Sequence, residues 1–112
     1  MATIDECQTA LERFAENLAS NPKSVKKLTG FQRNLAADIT DHGVSFNGKF
    51  DQGKLVDIVP GDNPDAEIRM IVASDDLLKL VAGELDFMKA FSSGKVKIKA
   101  NMMDLMKLRG VL

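Results

Sequence analysis

Residues 74–112 read SDDLLKLVAGELDFMKAFSSGKVKIKANMMDLMKLRGVL, and the changes of period within them decide the fold. Leu77, Leu78, Leu80 and Val81 recur at helical spacing until Gly83. Ser74 is suited to cap that helix, and Asp75 and Asp76 put negative charge in its first turn, where the helix dipole favours it. Asp86 predicts the cap of a second short helix holding Phe87, Met88, Ala90 and Phe91, which Gly94 stops. The period then falls to two: Val96, Ile98 and Ala100 alternate with Lys95, Lys97 and Lys99, which predicts a strand. Asn101 caps a last helix that runs to about Arg109 and is apolar at Met102, Met103, Leu105, Met106 and Leu108. A helix apolar on most of its sides is either buried or covers something apolar.

Upstream, Thr3 and Glu6 form a T-x-x-E capping box for a helix over residues 4–19, with Cys7, Ala10, Leu11, Phe14 and Leu18 as its apolar stripe. Asn21-Pro22 ends that helix, and residues 23–34, basic and weakly patterned, read as a connector. Four strands follow. Leu35, Ala37 and Ile39 mark the first, Val44, Phe46 and Phe50 the second, residues 55–59 the third, and Ala66, Ile68, Met70 and Val72 the fourth. The turn signals Asp41-His42-Gly43 and Asp51-Gln52-Gly53 join them closely, which favours an antiparallel meander. The predicted order is α-β-β-β-β-α-α-β-α, without an internal repeat or a linker.

With 112 residues the chain is a single domain, 1–112, long enough to bury a core. No apolar run is long enough to cross a bilayer, and the lone Cys7 fits a reducing compartment, so a cytoplasmic location is expected. The net charge of −1 conceals an uneven distribution. Residues 35–76 hold nine acidic and three basic side chains, whereas residues 85–112 hold six basic and two acidic. Such asymmetry suits either an ordinary mixed surface or contact with an anionic membrane or acidic partner. A duplex-binding role would call for a larger basic surplus and a groove-reading motif.

Few residues offer catalysis. His42 is the only histidine and sits in a turn; Cys7 lies on an apolar helix stripe, where a thiol is inert packing. One His and one Cys make no zinc site without carboxylates, and Asp75, Asp76, Glu84 and Asp86 lack calcium-loop spacing. Ser92-Ser93-Gly94-Lys95 lacks the first glycine of a phosphate loop. No catalytic residue, metal or cofactor is expected. Lys95, Lys97 and Lys99 suit lipid headgroups, and equally an exposed strand protected against edge pairing.

Taken together, Ser74-Asp75-Asp76-Leu77, Gly83-Glu84-Leu85, Met88-Lys89-Ala90-Phe91 and Gly94-Lys95-Val96-Lys97-Ile98, preceded by Ala66-Glu67-Ile68-Arg69-Met70, resemble the C-terminal half of the sterol carrier protein 2 family. Asp104-Leu105-Met106-Lys107-Leu108-Arg109, with Asp5-Glu6-Cys7 and Ala10-Leu11-Glu12-Arg13, is similar to compact bacterial members. The resemblance implies an α+β fold, a five-stranded, largely antiparallel sheet with helices over one face, and an apolar tunnel between them. That tunnel would take a fatty acyl chain, acyl-CoA, sterol, isoprenoid or phospholipid without catalysis. Two features depart from the family: Gly110-Val111-Leu112 is no peroxisomal signal, and the chain has no Trp or Tyr.

On this reading Phe46, Phe50 and Met70 line the inner sheet face. Leu77, Leu80, Val81, Phe87, Met88 and Phe91 form the wall, and Met102, Leu105 and Met106 a movable lid. The expected partners are a lipid, transiently an anionic membrane through Lys95, Lys97 and Lys99, and an enzyme supplied with the lipid; no nucleic acid is expected. The alternative is a solid-cored interaction or homodimerisation module that uses the apolar last helix.

Overall fold

The computed structural model describes residues 1–111, so Leu112 of the C-terminal tripeptide lies outside the described residues. The first helix, α1 (Ile4–Ala19), starts as its sequence demands, with both halves of the capping box formed. The Thr3 hydroxyl accepts from the Glu6 amide at 3.1 Å and the Glu6 carboxylate accepts from the Thr3 amide at 3.0 Å. Hydrogen bonding from the Thr3 amide, and then from the Thr3 side chain, holds the Glu6 carboxyl below its ordinary pKa. Cys7, Ala10, Leu11 and Leu18 are the buried stripe.

Residues 23–34 are not simply a connector. Asn21-Pro22 ends α1 and also opens a second helix, α2 (Pro22–Leu28), in which the Asn21 side chain accepts from the Lys23 amide and proline occupies the first turn. Proline is pre-set for that position because its missing N–H has no partner to lose. The helix escapes a periodicity reading because its seven residues, PKSVKKL, carry only Val25 and Leu28 as apolar anchors.

The sheet comprises β1 (Arg33–Ile39), β2 (Val44–Asp51), β3 (Lys54–Pro60), β4 (Ile68–Val72) and β5 (Val96–Lys99). β1, β2 and β3 form the expected antiparallel meander. The β2–β3 turn is tight: Gln52 and Gly53 both have positive φ, and a Cβ on Gly53 would stand 2.7 Å from the Val25 carbonyl oxygen of α2. Glycine is required there by the backbone and by the neighbour alike.

β4 corrects the four-strand meander. It passes β3 and β2 to pair in parallel with β1, Leu35 opposite Ile68 and Ile39 opposite Val72, while β5 pairs antiparallel with β4. The resulting order is β3-β2-β1-β4-β5. Burial accounts for the crossover. β4 is buried at Ile68, Met70 and Val72, whereas β3, an edge strand under α1, is fully buried only at Leu55. A strand added outside β3 would leave three large side chains in water, at about 1.5–3 kcal/mol each.

The helices α3 (Ser74–Ala82), α4 (Phe87–Ser93) and α5 (Met102–Arg109) complete the fold, and α3 and α4 stop at Gly83 and Gly94 as expected. Ser74 does not cap α3. Ala73 holds the cap position, and the carboxylate of Asp41, from the β1–β2 turn, accepts from both the Ser74 amide (2.9 Å) and its hydroxyl. A side chain remote in sequence thereby does the capping. The Ser74 bonds hold the Asp41 carboxyl below its usual value of 3.8. A folded-state pKa lowered in this way adds stability that is present above the unfolded value and lost as pH falls through the folded one. Asp41→Ala is expected to loosen α3 and flatten the acid limb of the pH–Tm curve; an acid limb identical to wild type would exclude this linkage.

The other face of the sheet is polar. Arg69 donates to Asp38 at 2.7 Å and pairs with Asp62 at 3.0 Å, and Ser45 donates to Asp38. Lys97 and Lys99 of β5, an edge strand, are exposed and register with Ile71 and Arg69 on this face.

Candidate functional site

Between the helices and the sheet lies a cavity of about 280 Å³. Met70 of β4 lies at its sheet side. Leu77, Leu80 and Val81 of α3, together with Leu85 and Phe87, form one wall, and Phe14 and Leu18 of α1 form another. Ser24 of α2 and Val111 also border it. Its polar lining is confined to Asn17, Asn21 and Ser24. α1 and α3 together supply half of the lining residues because each turns an apolar stripe inward while its acidic first turn stays at the surface. The volume falls just below the range typical of small-molecule pockets, about 300–1,000 Å³.

A second, open cleft of about 710 Å³ runs between α1 and α3. Its floor is mainly apolar, with Ala10, Leu78 and Ala82, while Asp5, Glu6, Thr9, Arg13, Lys79 and Glu84 bring both charge signs to it, and it shares Asn17 and Val81 with the apolar cavity. An apolar compartment therefore adjoins a cleft with both charge signs, an arrangement suited to a ligand with a greasy tail and a polar end.

Five of the expected site residues come together here: Met70, Leu77, Leu80, Val81 and Phe87. Phe91 packs beside the site, its ring stacked on Phe87 with centroids 6.3 Å apart. Met88 borders a shallow surface depression with Lys89, Ser92 and Ser93 instead. Phe46 and Phe50 are core side chains, 1% and 3% exposed. Phe50 meets the Phe31 ring edge-on at 5.5 Å, and Phe46 borders only a void of about 10 Å³ with Leu11 and Ala37.

The lid is placed differently from the expectation. Met102, Met103 and Met106 are 71%, 82% and 65% exposed, and Leu105 is half-buried. The reason is Asp104. Its carboxylate accepts from Arg33 Nε at 2.8 Å and from Asn101, while the Asp104 amide donates to the Asn101 side chain. Docking α5 by Asp104 and Leu108 turns the methionines outward. Charge pairing selects the buried face of a helix whose apolar residues do not choose one.

The residues sequence reasoning missed as cavity walls are Phe14, Asn17, Leu18, Asn21, Ser24, Leu85 and Val111. Phe14 and Leu18 were visible as stripe positions of α1; Ser24 and Val111 carry no sequence signal of their own.

Catalytic chemistry has little to work with. Cys7 is fully buried, and desolvation raises its pKa, which disfavours the reactive thiolate. His42 is half-buried and its ring Nε2 meets the Ala2 carbonyl, so it ties the start of the chain to the β1–β2 turn. Among the described residues, no group of three or more His, Cys, Asp or Glu is placed to hold a metal ion, and no helix is long and apolar enough to cross a membrane.

The profile of the SCP-2 sterol transfer family matches residues 9–112. The chain belongs to this family. Non-specific lipid-transfer protein-like 1 of Caenorhabditis elegans is 30% identical over 103 residues, covering 90% of this chain and 85% of that protein. The solution structure of palmitated SCP2L2 from Aedes aegypti superposes with a TM-score of 0.70 at 18% identity, covering 98% of this chain and 94% of the other. The stereoselective inverting sec-alkylsulfatase Pisa1 from Pseudomonas sp. shares the fold over 79% of this chain, with a TM-score of 0.61 at 24% identity; the match spans only 14% of that enzyme. Membership of this family supports lipid binding or transfer.

Proposed function

We propose that the protein binds one lipid acyl chain without catalysis, in the cavity walled by α1 and α3, and carries or presents it to a membrane or an enzyme. The observation that carries this reading is the apolar cavity itself, bordered by Met70, Leu77, Leu80, Val81 and Phe87. Methionine and leucine walls re-pack around chains of different shape, since Met has three rotatable bonds and a polarizable sulfur. A fatty acyl chain suits the site best, and the palmitated state of the Aedes aegypti neighbour supports that choice. The adjoining cleft, with Arg13 and Lys79, would receive the polar end. Burying roughly ten methylenes at about 0.8 kcal/mol each gives about 8 kcal/mol before association costs, so micromolar affinity also draws on contacts to the polar end of the ligand.

The test combines extraction and titration. Mass spectrometry of the organic extract, set against a control protein from the same host, is expected to find a stoichiometric fatty acid or related lipid. The delipidated protein is expected to bind a fluorescent fatty acid at micromolar concentration, displaceably by palmitate. An empty extract together with no displaceable binding would overturn the reading.

A further inference from the structure

The helix α2 and the C-terminal end of α5 meet through one hydrogen bond and a shared buried cluster. Lys27 Nζ donates to the Gly110 carbonyl at 3.0 Å, and Leu28 and Leu108 belong to one buried cluster. Their outward surfaces combine two properties. Met102, Met103 and Met106 are largely exposed, an unusual concentration of large apolar side chains in water. Lys23, Lys26, Lys27, Lys107 and Arg109 are exposed in the same two helices. The one carboxylate in either helix, Asp104, is buried and paired with Arg33, so it does not offset those cations. The cavity reaches this side of the molecule, since Asn21, Ser24 and Val111 border it.

We propose that the α2–α5 face docks on anionic lipid bilayers. The methionines enter the boundary between headgroups and acyl chains while the lysines and Arg109 meet lipid phosphates. Charge complementarity selects this occupant: five cations around an apolar patch match a negatively charged surface that is apolar just beneath. A second copy of the chain would bring like charges together. The lysines of β5 are not part of this face, because Lys97 and Lys99 stand on the polar side of the sheet. The proposal complements the acyl-binding reading, since docking here would set the α2 side of the cavity against the bilayer.

The test is flotation of the full chain with phosphatidylcholine vesicles, plain or containing about one-third phosphatidylglycerol. Binding is expected to the anionic vesicles only and to weaken as ionic strength rises. The combined variant Met102→Ser, Met103→Ser, Met106→Ser is expected to bind at least about tenfold more weakly. Lys23→Glu, Lys26→Glu, Arg109→Glu is expected to lose at least about a hundredfold, whereas Lys95→Glu, Lys97→Glu stays within about threefold of wild type. Circular dichroism checks that each variant folds, and any that does not is replaced by its single substitutions.

No wild-type binding to anionic vesicles, or undiminished binding by both α2–α5 variants, would overturn the proposal. So would a methionine-dependent dimer in sedimentation, which would assign the face to a second copy. Fluorescent fatty-acid titration of the same samples separates the two readings. Vesicle binding without fatty-acid binding sinks the acyl-binding reading and leaves the docking face standing; the reverse result does the opposite.

Discussion

Phe46→Ala is expected to lower the stability of the fold by about 3–5 kcal/mol, the usual cost of truncating a buried phenylalanine. Phe46 is 1% exposed and belongs to the cluster formed by Cys7, Leu11, Ala37 and Met70, where α1 crosses the sheet. The lost ring would leave a hole beside an existing void of about 10 Å³, and β-sheet backbone on one side and α1 on the other leave little room to collapse. For a domain of this size the loss corresponds to a fall in Tm on the order of 15 °C or more. The folded fraction is expected to keep its ligand affinity, because Phe46 is not among the cavity walls. Urea unfolding and fatty-acid titration of the variant check both halves; lost affinity with unchanged stability would reverse the assignment.

Val81→Trp is expected to do the opposite. Val81 is half-buried on α3 and borders both the apolar cavity and the open cleft. An indole at this position can extend into the cavity without distorting the core, so Tm is expected to change little. Its bulk would displace roughly three methylenes of a bound chain, at about 0.8 kcal/mol each. The dissociation constant for a fatty acid is therefore expected to rise roughly fiftyfold. Unchanged affinity in this variant would place the ligand elsewhere.

The contrast between these two residues shows what the sequence could and could not say. Period-two runs through Leu35, Val44, Ile68 and Val96, and the caps Thr3, Asp86 and Asn101, locate nearly every element, because local backbone chemistry and one-sided burial leave their mark on neighbouring residues. Alternation says that Phe46 and Met70 both face the helices, but not which of them lies under a helix and which under a cavity. That depends on how α1 crosses the sheet.

The partner of β4 was hidden for a similar reason: short connections suggested a neighbour in sequence, whereas coverage by helices favoured β1. At α5 the spacing of five apolar residues pointed to burial, yet one carboxylate among them, paired with Arg33 from 71 residues away, determines the orientation. Long-range pairing of this kind leaves no local pattern. The same holds for Asp41, which caps α3 from 33 residues upstream.

The most direct test of the acyl-binding account is a methyl-labelled NMR titration of the delipidated protein with palmitate. The account predicts saturable shifts for Met70, Leu77, Leu80, Val81 and Leu85, with the exposed Met102, Met103 and Met106 little changed. Shifts confined to the α5 methionines, or none at any of these methyls, would contradict it.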